Sequence, residues 1–396
     1  MTLSSSRVGA SPSDQVSSAV RPQGFLRRHA VKLAASLLIT CGIVYTIHKG
    51  GMKFLPEGGD FQSVRWWTIP VYVVSLVGLN WFRSVRWRFL LRSIAEVPKR
   101  RLFAVSVVGF AAILLLPFRI GEIARPYMIR TRPEDRRPGE PAITMTAATS
   151  SVIAERIIDG LYLSIVLAFA LFFVPTVHPL PDHVVGLPVS VHQVRLYGYS
   201  LFGLFCALFI TIAVFYFARG WAHRTTLRVF SPLSPRLAQK LAGTAEKLAD
   251  GLHVFGRGKD ALGFLVETTF YWGLNAFGMW LLAWGSGVVH ADGSACTFFE
   301  ACALMGMLGC TILIPGPPGM LGVFQAGIYA GMTMYYPTAI VIGPGAAMVF
   351  LLYATQVVCQ LALACWALYA IGGEGGLRRG LRELEEAEGV GVARSE

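Results

Sequence analysis

Long apolar runs separated by short basic stretches set the pattern of this chain. Six runs come near the roughly 20 residues that an α-helix needs to cross about 30 Å of hydrocarbon. They cover residues 30–48, 66–90, 145–175, 196–218, 262–287 and 345–371. The third opens amphipathically, so its first turns are expected at the interface. Two further apolar stretches do not read as single crossings. Residues 102–117 are flanked by Arg100 and Arg101 before and by Arg119 to Arg137 after, and a crossing there would invert every later loop. Residues 297–336 break at Ile314-Pro315-Gly316-Pro317-Pro318-Gly319, a break without Lys or Arg. Both stretches are expected to be re-entrant hairpins, which lipid tolerates only where protein or a water-filled cavity satisfies the backbone groups.

Basic residues orient the pattern. Thirty of the 35 Lys and Arg fall in 1–32, 83–101, 119–137, 219–259 and 378–396. Lys49, Lys53, Arg65 and Arg195 fall on the other side, and Arg156 lies within a helix. The positive-inside rule then places both termini in the cytoplasm. Span, hairpin and span follow one another twice, first over 66–90, 102–130 and 145–175, then over 262–287, 297–336 and 345–371. The first set runs from outside to inside and back, the second from inside to outside and back. Inverted repeats with broken helices in matching places point to a site near the bilayer midplane. The expected fold is therefore all-α: a polytopic integral membrane protein with about six spans and two re-entrant helical hairpins in an inverted repeat. Residues 1–26, Ser-rich and polar, read as a disordered cytoplasmic tail. Residues 27–376 read as the membrane domain and 377–396 as a second cytoplasmic tail. The run after Arg27, Arg28 and Lys32 is long for a signal peptide and lacks a small-x-small exit, so it reads as an uncleaved helix.

Composition agrees. The chain is 54% hydrophobic and only 15% charged, where a soluble chain carries about a quarter charged residues. A net charge of +12 lies between apolar runs rather than in patches interleaved with aromatics, which argues against nucleic acid. The seven cysteines form no C-x-x-C and read as small hydrophobes, so neither a metal nor a cofactor is expected. No G-x-S-x-G, P-loop, H-E-x-x-H or G-x-G-x-x-G unit is present, and no catalytic residue is assigned: the chain does not read as an enzyme.

Charged residues gather at two places. The first break reads Leu116-Pro117-Phe118-Arg119-Ile120-Gly121-Glu122-Ile123-Ala124-Arg125-Pro126. Proline ends one half-helix and Gly121 permits close approach. A new half-helix is expected from about Arg119 to Glu122, and its free N–H groups and positive dipole end favour an anion. Arg119 and Arg125 add fixed charge, and a guanidinium matches phosphate oxygens as a fork. Glu122, three residues from each, can bridge both. The opposing reading is an interfacial loop whose charges face water. The second place is Glu155-Arg156-Ile157-Ile158-Asp159-Gly160, where both acids share a helix face beside the arginine. Charges at membrane depth are costly and are usually paired or functional. A structural network, a substrate or proton site, and an interfacial marker with Arg156 snorkelling all fit that spacing. At the second break Pro317, Gly319, Gly322 and Gln325 belong to a run that frees backbone groups, either to meet a headgroup or to turn the chain in a protein-lined niche. Glu267 and Glu300 read as lone interfacial acids, and His290, Gln356 and Gln360 either line a cavity or bond between helices. The amphipathic stretch 237–255 is expected on the anionic inner leaflet.

These residues resemble the lysylphosphatidylglycerol synthase/flippase transmembrane family over about 30–371. The resemblance rests on Arg83-Ser84-Val85-Arg86-Trp87, on Pro117, Arg119-Ile120-Gly121-Glu122 and Arg125, on Glu155-Arg156 with Asp159, and on Pro317-Pro318-Gly319 with Gly322. It implies two inverted repeats with re-entrant helices, and passage of aminoacylated phospholipids or polyprenyl-linked sugars across the membrane, here the bacterial inner membrane. Met320 and Gln325 stand where the family turn more usually reads Pro-Gly-Gly and ends in glutamate, and Gln325 cannot exchange a proton. The synthase domain found in the family's best-known members does not follow, so the chain is not expected to make lysyl-lipid itself. The expectation is a lipid translocator that takes an anionic membrane lipid. Its headgroup site would be Arg119, Gly121, Glu122, Arg125, Glu155, Arg156, Asp159, Pro317, Gly319, Gly322 and Gln325, with a homo-oligomer or a lipid-synthesis enzyme open as partner. A membrane transferase using Glu155 or Asp159, and a scaffold without substrate, are the rivals. Paired acids with a metal would favour the first, and breaks packed solid without a cavity the second.

Overall fold

Apolar runs fold here as helices, in which a segment satisfies its own backbone N–H and C=O groups. The structure, a computed structural model, describes residues 55–92, 94–116, 121–131, 141–184, 190–232, 234–252, 258–312 and 318–393, with Leu38, Cys41, Gly42 and Tyr45 ahead of them. Among these residues there is no strand, only the isolated bridges His183–Ser190 and Val289–Ala295. The helices are α1 (Thr68–Val85), α2 (Trp87–Leu91), α3 (Lys99–Leu115), α4 (Ala124–Ile129), α5 (Met145–Phe173), α6 (Val191–Phe217) and α7 (Arg219–Phe230). They continue as α8 (Pro235–Leu252), α9 (Gly258–Gly285), α10 (Phe298–Ile312), α11 (Val323–Tyr335), α12 (Thr338–Ile342) and α13 (Pro344–Ala393).

Among the described residues three helical segments are long and apolar enough to cross a membrane: α5, α6 and Thr338–Ala370. The expected second span is shorter than read, since a turn at Arg86 separates α1 from α2. Helix α9 carries Lys259, Asp260 and Glu267 in its first turns, which lowers its hydropathy. Helix α13 runs 50 residues, on through positions expected to be a tail. The expected first span and the tail 1–26 fall outside the described residues, apart from the four positions named above.

Packing relates the two halves. Helix α1 lies along α9, α3 lies on α13, and α10 lies on α5. Between α1 and α9 the approach is close: a Cβ on Gly278 would sit 2.5 Å from the Tyr72 ring. The principal core joins side chains of α1, α5, α9, α10, α11 and α13, among them Leu76, Leu167, Met279, Leu304, Ile328 and Val349. The amphipathic α8 does not present its whole apolar face to lipid. Ala238 and Ala242 are buried where α8 packs on α5, α6 and α7, and Leu237 and Leu241 stay exposed.

Both chain breaks turn on glycine. After the first, Gly121 lies against the end of α3, where a Cβ would come 2.3 Å from the backbone carbon of Ala112, so no larger residue fits without movement. After the second, a 3-10 turn at Pro318–Met320 packs on α3. There Gly319 and Gly322 have φ of 70° and 88°, the left-handed region that glycine enters at little cost.

Candidate functional site

The end of α1 sets Arg83, in its last turn, and Arg86, its C-cap, three residues apart, and one turn of α5 presents Glu155, Arg156 and Asp159. Arg86 is fully buried and forks onto Asp159, with Nη1–Oδ1 and Nη2–Oδ2 both 2.7 Å. It also donates to Glu155 Oε1 at 2.9 Å and to Thr268 Oγ1 at 3.0 Å. The other oxygen of Glu155 accepts from Arg125 Nη2 at 3.1 Å. Arg125 is fully buried as well, with its guanidinium carbon 4.4 Å from the Trp87 ring and 4.8 Å from Phe110. Trp272 Nε1 completes Asp159 at 3.3 Å. Two carboxylates thus tie the end of α1 to α4, α5 and α9 in a buried interior, where such forks are strongest.

Two other arginines are held more loosely. Arg156 stands 3.7 Å from Asp159 and 4.0 Å from Glu155, and its Nε and Nη2 reach no hydrogen-bond partner. Among the described residues no hydrogen bond or ion pair reaches Arg83, whose guanidinium lies 3.7 Å over Phe110 and 5.6 Å over Tyr271. Both side chains line a cavity of about 540 Å³ that also meets Glu122, Asp159, Asn275 and Gln356. Leu163, Leu201, Phe205, Met279, Met305 and Leu308 form its apolar remainder. The volume lies within the roughly 300–1,000 Å³ common to small-molecule sites, and the lining is two-faced, cationic at one part and oily at another.

The second break supplies Gly319 and Met320 to the same cavity. Its turn is fixed from outside: Tyr353 donates its hydroxyl to the Gly319 carbonyl at 2.9 Å. Gln325 is buried, and its Oε1 accepts from the Gly322 N–H at 2.6 Å, capping α11. A glutamine does this as well as a glutamate would, because only an acceptor is needed.

Of the residues singled out from the sequence, Glu122, Arg156, Asp159 and Gly319 meet round the cavity. Gly121 braces the first break against α3, Arg125 and Glu155 sit behind the cavity wall, and Gly322 and Gln325 shape the second turn. Arg119, Pro117 and Pro317 lie outside the described residues. Two expectations change. The helix after the first break, α4, has six residues, too few for a dipole-driven anion site, so fixed positive charge must come from guanidiniums. Arg125 pairs across to α5 rather than with Glu122, its neighbour in sequence. The acids read as lone are not: Glu267 pairs with Arg88 at 2.7 Å, while buried Glu300 accepts from the Tyr336 hydroxyl at 2.8 Å and the Thr297 N–H at 2.9 Å. Gln360 lines the cavity and also donates to the Val107 carbonyl at 2.9 Å.

Reading the sequence alone missed Arg83 and Asn275 as cavity residues. The signals were present, an arginine three residues before Arg86 in an apolar run and an asparagine within another. Among the described residues no group of three or more His, Cys, Asp or Glu side chains is placed to hold a metal ion. A family model described as Lysylphosphatidylglycerol synthase TM region matches residues 33–358. No curated protein matches the chain.

Proposed function

The chain belongs to the lysylphosphatidylglycerol synthase TM region family, and from there we propose that it moves an anionic phospholipid or polyprenyl-linked lipid across the cytoplasmic membrane. One observation carries this reading: a cavity of about 540 Å³ between the two halves holds Arg83 and Arg156 at its polar part and an oily lining beyond. A lipid has the same division. Its phosphate meets the two guanidiniums as charge-assisted contacts, and the first segments of its chains lie along Leu163, Leu201 and Phe205.

The chain in this reading crosses the membrane about six times with both termini in the cytoplasm, as the distribution of basic residues favours. The two breaks are re-entrant hairpins in an inverted repeat. Supporting the repeat, the packing pairs equivalent elements: α1 with α9, the first hairpin's α3 with the closing helix of the second half, and α10 with the closing helix of the first. Rocking one half on the other would expose the cavity to each face in turn. No bond is made or broken in this reading, and the cavity weighs against a scaffold whose breaks are packed solid.

The test is transfer itself. Full-length protein reconstituted into liposomes with an acyl-labelled fluorescent phosphatidylglycerol should make the inner-leaflet label accessible to an impermeant quencher faster than in protein-free liposomes. Equal rates, together with failure of the purified protein to retain any anionic lipid in native mass spectrometry, would overturn the reading.

A further inference from the structure

The cavity has a third kind of wall, uncharged and polar. It comes from α9 and α13, which pack together, whereas the arginines come from α1 and α5. Asn275 follows Tyr271 and Trp272 by one helical turn, and Gln356 follows Tyr353 by three residues. The carboxamides of Asn275 and Gln356 line the cavity and hydrogen-bond to no other described residue. By contrast Trp272 and Tyr353, beside them, already donate to Asp159 and to the Gly319 carbonyl.

A carboxamide offers a donor and an acceptor on neighbouring atoms, which matches a hydroxyl group that does both. An ammonium offers donors only and, when taken out of water, is best offset by an uncommitted carboxylate. None is in reach. Both oxygens of Asp159 are taken by Arg86, both of Glu155 by Arg86 and Arg125, and Glu122 is engaged as well. Among the described residues four guanidiniums, Arg83, Arg86, Arg125 and Arg156, stand with these three carboxylates, so a cationic headgroup would meet net like charge.

Building on the translocation reading, we propose that Asn275 and Gln356 form a hydroxyl-binding subsite. The lipid carried then has an anionic phosphate followed by an uncharged, hydroxyl-bearing headgroup, and cationic aminoacyl headgroups are rejected. The phosphate lies on the arginines, and the hydroxyls reach the amides.

Three probes presented to the full-length protein in detergent, with bound lipid read by competitive native mass spectrometry, test the idea. They are phosphatidylinositol, with phosphate and hydroxyls; phosphatidic acid, with phosphate alone; and lysyl-phosphatidylglycerol, with a cationic aminoacyl group. Phosphatidylinositol should be retained about tenfold over lysyl-phosphatidylglycerol, a ranking that needs no variant. In the double variant N275A/Q356A, phosphatidylinositol retention should fall about tenfold, toward that of phosphatidic acid, while phosphatidic acid itself is unchanged, as expected for the loss of one or two neutral hydrogen bonds. Lysyl-phosphatidylglycerol retained as well as or better than phosphatidylinositol would overturn the subsite and leave translocation standing. Equal losses of phosphatidylinositol and phosphatidic acid in the double variant would do the same. Retention of none of the three, together with equal transfer rates in liposomes, would remove the translocation reading itself, and the subsite with it.

Discussion

Glu155→Gln is the sharpest probe of the buried network. The glutamate carboxylate is fully buried and divided between Arg86 at 2.9 Å and Arg125 at 3.1 Å. Glutamine keeps the volume and one acceptor, but its NH₂ then faces a guanidinium donor. Arg86 keeps its fork on Asp159, so the damage falls on Arg125, left as a buried cation with only the Trp87 and Phe110 rings for company. Removing one partner of a buried pair costs about 3–5 kcal/mol, which for a chain of this size corresponds to a fall in melting temperature on the order of 10 °C. Thermal unfolding in detergent, followed by tryptophan fluorescence, measures it. Adding Arg125→Met should restore at least half of the loss, because the orphaned charge is then gone and an apolar side chain fills the space beside the rings. A single variant melting within about 1 °C of the parent, or a double variant no better than the single, would refute the view that Glu155 is what makes Arg125 tolerable inside.

Other changes separate binding from folding. Arg83→Gln or Arg156→Gln should weaken retention of phosphatidylglycerol about tenfold or more, since a charge-assisted contact contributes about 1.5–3 kcal/mol. Melting should stay as in the parent, exposed Arg224→Gln should alter neither property, and equal losses at Arg224 would sink the phosphate assignment. Gly121→Ala, whose Cβ would lie 2.3 Å from the Ala112 backbone, should destabilise by about 1–3 kcal/mol in denaturant titrations; an unchanged midpoint would mean the first break is not braced on α3. Gln325→Ala should lose about 1 kcal/mol with the α11 cap, while Gln325→Glu should leave stability and transfer rate at pH 7 near the parent's. A clear effect of the glutamate would show that the side chain does more than cap. In a cysteine-free background, Arg224→Cys should react with an impermeant maleimide only after the membrane is breached, and labelling of intact cells would reverse the orientation.

What could be read along the chain divides by distance. Helices were legible because hydropathy persists over many residues, and most of their ends fall within a few positions of those expected. The breaks were legible from proline and glycine. Within α5 the shared face of Glu155, Arg156 and Asp159 followed from helical spacing alone. Partners on other helices were hidden: Arg86 meets Asp159 across 73 residues and Arg125 meets Glu155 across 30, and no local periodicity reports such pairs. For the same reason Glu122 looked like the natural partner of Arg125. The surroundings of Arg83 are Phe110 and Tyr271 from two other helices, so only the assembled fold sets it apart from Arg86, three residues on.

The Arg86–Asp159 fork also has a consequence for how the protein is made. Helix α1 leaves the ribosome with Arg83 in its last turn and Arg86 just past its end, and a charge carried to membrane depth is costly on insertion unless it is paired. The carboxylates that neutralise Arg86 arrive only with α5, and Thr268 and Trp272 only with α9. Neither α1 nor α5 is therefore at ease in lipid alone, and the insertion machinery has reason to keep the earlier helix beside it until the later one emerges. On the proposed six-span reading, biogenesis would be sensitive to synthesis speed between residues 86 and 159, a stretch where a pause or an early release would strand an unpaired charge.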